Sequence, residues 1–243
     1  KIEAMSLKEL YESSPFGLVS SFFYGTIQSA LFTLLAVYAT SMNFTILEIS
    51  IVTFLLAVSG SIAQFPVGKI SDLYDRRKVL IFSTFGAALF SILSILVSKQ
   101  MYLPEGLATS KTWFYIFFIL FSFCSLPMFS LILAHTNDYI PKEKFVAAGA
   151  GLQFVFGLGA MSGPFLCSIF MDIVGSNGFF VFLFFFHSII GAFGVYRMRV
   201  RPTVDNPDSQ FVAMPQTITP AGIELNPTTE PIDEPQKENE KVI

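Results

Sequence analysis

Residues Gly68-Lys69-Ile70-Ser71-Asp72-Leu73-Tyr74-Asp75-Arg76-Arg77-Lys78 form a short charged island with a mostly apolar stretch on either side. Each flank runs for about twenty residues, the length a helix needs to cross the ~30 Å hydrocarbon core of a bilayer. A connection this short forces the two flanking helices into an antiparallel hairpin across the membrane. Spacing inside the island gives its residues distinct physical tasks. Gly68 allows close approach of a helix, the Asp72 carboxylate can face a helix N-terminus, and the Arg76 guanidinium at i+4 can hold that carboxylate. The bland alternative is a basic turn whose charges serve topology alone.

Composition places the whole chain in the same class. Of 243 residues, 53% are hydrophobic, 29 are Phe and only 14% are charged, which marks an integral membrane protein. The net charge of -3 is an average over two unlike regions: eight of the 18 acidic residues follow Pro202, where Lys237 and Lys241 are the only bases. Up to Arg201 the balance is mildly basic, which is a topology signal and excludes nucleic acid as a partner. Cys124 and Cys167 lie inside apolar runs and read as packing residues, so neither a disulfide framework nor a metal site is expected. No metalloprotease, nucleophile-elbow or phosphate-loop motif occurs. The chain is therefore not expected to be an enzyme, to hold a cofactor or to hydrolyse ATP.

Six apolar spans follow in order, at roughly 16–38, 47–70, 79–97, 113–134, 145–171 and 178–195. The expected fold is all-α: a six-helix transmembrane bundle over residues 16–201, preceded by a polar segment, 1–15, and followed by an acidic, proline-rich stretch, 202–243. Pro15 suits a helix start. Span one carries a polar stripe that includes Tyr24, Gly25 and Gln28. Span three is nearly featureless and is expected to face lipid. Span four holds Pro127, which removes a backbone hydrogen bond and should kink it. Span five is glycine-rich: Gly157, Gly159, Gly163 and Pro164 are expected to let another helix pack backbone to backbone. Asn43-Phe44-Thr45 fits a glycosylation sequon but sits in a tight inter-helix turn, and reads as chance.

Lysine and arginine sort by side. The N-terminal segment, the island, the Lys142 to Lys144 loop and the Arg197 to Arg201 cluster hold eleven, against Lys99 and Lys111 in the opposite loops. Both ends of the chain and the island are thereby expected to be cytoplasmic. From Pro202 on there are seven prolines, eight carboxylates and one aromatic residue, too little apolar surface to order the stretch, which is expected to be a disordered cytoplasmic tail. Lys1 is not an initiator, and the chain is expected to be part of a longer polypeptide.

Gly68, Asp72 and Arg76 resemble the G-x-x-x-D-x-x-G-R motif of the major facilitator superfamily, with Asp75 in place of the second glycine. Other stretches are similar to uncharacterised bacterial members of the YcaD type. They are Leu10-Tyr11 with Ser14-Pro15, Gln64-Phe65-Pro66-Val67-Gly68, Ala134-His135-Thr136-Asn137-Asp138, and Thr219-Pro220. Gly159-x-x-x-Gly163-Pro164 looks like the antiporter motif of drug exporters, although Cys167 and Ser168 depart from its closing glycines. The resemblance implies one six-helix half of a secondary active transporter. The polar lead-in and long hydrophilic tail fit the C-terminal half, helices seven to twelve. Its partners would be a small solute, the lipid bilayer and the missing N-terminal half, in a bacterial inner membrane. It also implies alternating access, with ion or proton coupling, and brings the end of span four beside the island. There Gly68, Asp72, Arg76, Arg77 and Asp138 would form a conformational latch.

Three polar residues are candidates for lining a substrate cavity: Tyr24 and Gln28 at mid-depth of span one, and Gln153 on span five. The alternative for each is an interhelical hydrogen bond, worth ~0.6 kcal/mol on average, and for Gln64 and Asn137 that is the favoured reading. His187, deep in span six, and His135, near the latch, are candidates for proton linkage. For His187 a neutral ring bonded to a backbone or hydroxyl group is the favoured alternative. No carboxylate lies deep in a span. A second function class, a membrane sensor that keeps the fold and binds without turnover, fits the same sequence.

Overall fold

The structure, a computed structural model, describes residues 4–100, 107–200, 211 and 213. Its regular elements are helices: α1 (Leu7–Ser13), α2 (Pro15–Ser41), α3 (Ile46–Leu73), α4 (Arg76–Gln100), α5 (Leu107–Ser125), α6 (Met128–Asn137), a 3-10 turn (Lys142–Lys144), α7 (Phe145–Val174) and α8 (Gly178–Val200). Among the described residues, six helical stretches are long and apolar enough to cross a membrane, the fourth being α5 and α6 together. The protein is an all-α integral membrane protein of six spans. Apart from Phe211 and Ala213, the tail expected to be disordered lies outside the described residues, as does the loop at Pro104 to Gly106.

Local chemistry explains where the helices begin and end. Pro15 opens α2, where its missing N–H is no loss. Asn43 takes φ 58°, a conformation its short polar side chain tolerates, and turns the chain into α3. Thr45 and Glu48 then close a capping box: Glu48 N–H donates to Thr45 Oγ1 at 3.3 Å and Thr45 N–H to Glu48 Oε2 at 2.7 Å. Lys111 from α5 binds the other Glu48 oxygen at 2.6 Å. Pro127 goes beyond kinking its span. With no N–H to give, it separates α5 from α6.

Packing is led by α2 against α7. Ser21 Oγ donates to the Leu152 carbonyl at 2.8 Å and Thr26 Oγ1 to the Gly159 carbonyl at 3.1 Å, so the contact climbs both helices together and the two run parallel. Parallel spans one and five require an even number of crossings before α7. Span three was expected to face lipid. Instead α4 packs between α5 and α8, with Ser91, Ser94 and Ser98 turned inward and their hydroxyls returned to carbonyls of the same helix; only its Phe82, Phe85, Leu89 and Leu96 face is exposed. At the end away from the island, Tyr38 stacks on Phe179 at 5.2 Å and meets Phe180 edge-on at 5.0 Å, while Phe114 stacks on Phe118 at 5.9 Å. This aromatic plug closes α2, α5 and α8 together there. At the island end, α1 is tied to the start of α7 by Lys144 Nζ on Glu9 Oε1 at 2.6 Å, a bond that holds the Glu9 carboxyl below its ordinary pKa.

Candidate functional site

The island spans the end of α3, a two-residue turn and the start of α4; its two arginines are buried, while Lys69, Asp72 and Lys78 are exposed. Arg76, the first residue of α4, has a side chain only 8% exposed. Its Nη2 donates to Asp72 Oδ1 at 2.7 Å, and its Nη1 donates to the Ala134 carbonyl at 3.3 Å and to the Asp138 carboxylate. One guanidinium thus joins the ends of α3, α4 and α6, with Asp138 as the C-cap of α6. Shielding and several acceptors set this bridge apart from an exposed pair, which is worth ~0.2–1 kcal/mol. Arg77 has a different partner. Its Nη2 lies 3.1 Å from Asp75 Oδ2, and Asp75 Oδ1 also takes the Arg77 backbone N–H at 3.0 Å. The residue that replaces the expected glycine therefore caps α4 and holds Arg77, a role the sequence reading did not assign. Gly68 was expected to admit a helix, but what lies against it is the ring of Phe211, whose backbone N–H donates to Asp72 Oδ1 at 2.8 Å.

A second group of polar atoms sits near the break at Pro127. The Tyr24 hydroxyl, fully buried, donates to the Leu126 carbonyl at 3.2 Å, and the Leu126 side chain fills the space beside Gly60 of α3. One turn further along α2, Gln28 is 4% exposed, and neither its Oε1 nor its Nε2 has a hydrogen-bond partner among the described residues. One turn from Gly60 toward the island, Gln64 Oε1 is likewise without a partner, and so is Asn137 Oδ1 on α6. The interhelical bonds expected for those two oxygens are not made. Gln153 is half-buried on α7, beside the Leu152 carbonyl that Ser21 reaches. It lies at the level of Ser21, about 10 Å below Gln28 along the helix axis, so the three cavity candidates do not converge on one point. A cavity of about 400 Å³ opens between α3, α4 and α5, lined mainly by Val67, Ile70, Val79, Phe82 and Phe123. None of the three cavity candidates, Tyr24, Gln28 and Gln153, lines it.

The glycine seam runs through two of the three α7 glycines expected in it. A methyl group on Gly159 would strike the Phe22 carbonyl, and one on Gly163 the Thr26 carbonyl and the Ser29 hydroxyl. Gly157, expected in the same packing set, has open space where its Cβ would stand, and Pro164 is half-buried within α7. Gly25 of α2 completes the seam against the Phe156 backbone. His187 is fully buried; Nδ1–H donates to the Leu183 carbonyl at 2.7 Å, which leaves Nε2 to accept from Ser125 Oγ at 3.0 Å. Both ring nitrogens of a neutral imidazole are thereby used in structural bonds. His135 is 3% exposed, edge-on to Phe16 at 5.3 Å and to Tyr139 at 5.1 Å, and borders a small recess with Arg77 and Arg197. Among the described residues, no group of three or more His, Cys, Asp and Glu side chains is placed to hold a metal ion.

Comparison with known proteins gives a consistent set of relatives. The family model described as Major Facilitator Superfamily matches residues 17–229. The chain is 26% identical over 186 residues to the uncharacterized MFS-type transporter YfkF of Bacillus subtilis, covering 73% of this chain and 44% of that protein. It is 24% identical over 202 residues to the uncharacterized MFS-type transporter YE1530 of Yersinia enterocolitica, covering 83% of this chain and 48% of the relative. The chain spans about half the length of the curated relatives it matches. No solved structure matches it.

Proposed function

Because this chain belongs to the Major Facilitator Superfamily, we propose that it is the C-terminal six-helix half of a secondary active transporter. In this reading the whole protein moves a small solute across the bacterial inner membrane by alternating access, coupled to an ion or proton, with both ends of the chain cytoplasmic. The observation that carries the reading is the Arg76 bridge to Asp72 and Asp138. Three helix ends fastened by one buried guanidinium move as a unit, which is what rocking one half against the other requires. The polar atoms around Pro127 supply the other part. Gln28 and Gln64 present amide groups without partners in this half, as a wall completed by a solute or by the other half would. Gly68, Asp72, Arg76 and Asp138 are the latch proper, and Arg77 serves it through Asp75 by fixing the start of α4. We read His187 as a packing residue, and a coupling carboxylate as belonging to the other half, since no Asp or Glu is deep in these spans.

A double-mutant cycle tests the latch in the full-length protein, read by the reactivity of Gln28→Cys toward an impermeant maleimide added from the cytoplasmic side. Arg76→Ala and Asp138→Ala should each shift that reactivity about tenfold, the factor that ~1.4 kcal/mol gives, and the double variant should do no more than either alone. Simple additivity would reduce the island to a topology signal.

A further inference from the structure

Asp72 Oδ1 takes two donors, Arg76 Nη2 at 2.7 Å and the backbone N–H of Phe211 at 2.8 Å, which occupies both of its lone pairs. The Phe211 ring lies on Gly68, in the volume a side chain at that position would fill, and packs against the buried core. Phe211 is also the single aromatic residue in the sequence after Val200. The contact therefore has two matched parts, a ring that needs a glycine and an N–H that needs a carboxylate, and the island supplies both one turn apart. Around it Phe65, Lys69 and Leu73 stay exposed, so this face of α3 has no helix of its own half over it.

We propose that Phe211 is an intramolecular plug for the Gly68–Asp72 face, and that its docking holds the cytoplasmic side of the transporter open. The inference rests on the two-half reading given above. For the cytoplasmic side to close, this face of α3 must meet the other half, and the ring of Phe211 stands in that space. One half-buried ring and one hydrogen bond are small against the entropy of ordering a chain segment, so the plug is reversible. Phe211 thereby becomes a regulator of the latch: whatever draws it away frees Asp72 and Gly68 for closure.

Two readouts in the full-length protein test this, in a background of Cys124→Ser and Cys167→Ala. A spin label at Ala213→Cys reports docking, and in separate samples Gln28→Cys reports cytoplasmic access to an impermeant maleimide. The label should be immobilised in the parent, released by Phe211→Ala with about a tenfold change in the docked-to-free ratio, and retained by Phe211→Leu. Release by Phe211→Ala should lower Gln28→Cys reactivity about tenfold, because closure is then unopposed. Asp72→Ala should release the label yet leave reactivity high, because closure needs the same carboxylate. A label equally mobile in the parent and in Phe211→Ala overturns the proposal, and so does release without a change in reactivity while Arg76→Ala still changes it. If Arg76→Ala leaves reactivity unchanged as well, the two-half reading has failed and the plug's consequence falls with it.

Discussion

Gln28 separates a residue that builds the bundle from one that serves what passes through it. A buried amide that makes no bond in its own half is a burden on folding, so Gln28→Leu should leave thermal stability unchanged or raise it by about 1 kcal/mol, while transport by the full-length protein falls. Equal losses of expression and transport would return Gln28 to a packing role. The seam glycines divide in the same way. Gly159→Ala drives a methyl into the Phe22 carbonyl and should cost about 1–3 kcal/mol in detergent-solubilised stability, whereas Gly157→Ala enters open space and should be neutral or slightly stabilising. A denaturation series on both variants checks the contrast. The polar stripe of α2 and the close contacts of Gly159 and Gly163 were legible in the sequence, whereas the open space at Gly157 was not: two positions apart, Gly157 and Gly159 point about 200° from each other round the helix, so one of them faces away from the seam.

At the scale of elements, the six spans and their short turns were plain because hydrocarbon tolerates only helices, and a charged island has to lie outside it. Pro15 and Pro127 also acted as their backbone chemistry dictates, although the second broke its span outright instead of bending it. Pro127→Ala should restore one backbone N–H, join α5 to α6 and raise stability by up to ~3 kcal/mol. It should also slow exchange between the two access states, because the break is where Leu126 turns its carbonyl to Tyr24. Thermal melts alongside labelling kinetics would show whether stability and exchange move in opposite directions; a variant that gains stability and exchanges at the parent rate would make the break incidental. The inward serines of α4 could not be read in advance, since a serine that bonds its own helix is at home against lipid or protein. Asp75 was hidden for another reason. Its bonds to Arg77 are local, but whether an acidic residue in a turn caps the next helix depends on backbone angles that composition does not reveal.

For the molecule as a whole, the two ends of the bundle differ. The end away from the island is closed by Tyr38, Phe114, Phe179 and Phe180, while the island end combines the buried Arg76 and Arg77 bridges with Phe211 and the rings of Phe16, His135 and Tyr139. Contacts such as Phe211 on Asp72, separated by 139 positions, leave no periodic trace in a sequence. The Arg76 to Asp138 bridge was anticipated only through resemblance to the family motif. Charge at the island end and stacked rings at the other suit the proposed rocking motion, since dispersion contacts persist through small rotations whereas an ion pair is either made or broken. The most direct test of that claim is two-sided labelling of Gln28→Cys in the full-length protein, in right-side-out and inside-out membrane vesicles. Alternating access predicts reaction from both sides, with Arg76→Ala moving the ratio of the two rates about tenfold. Reaction from one side only, at a ratio that Arg76→Ala leaves unchanged, would contradict it.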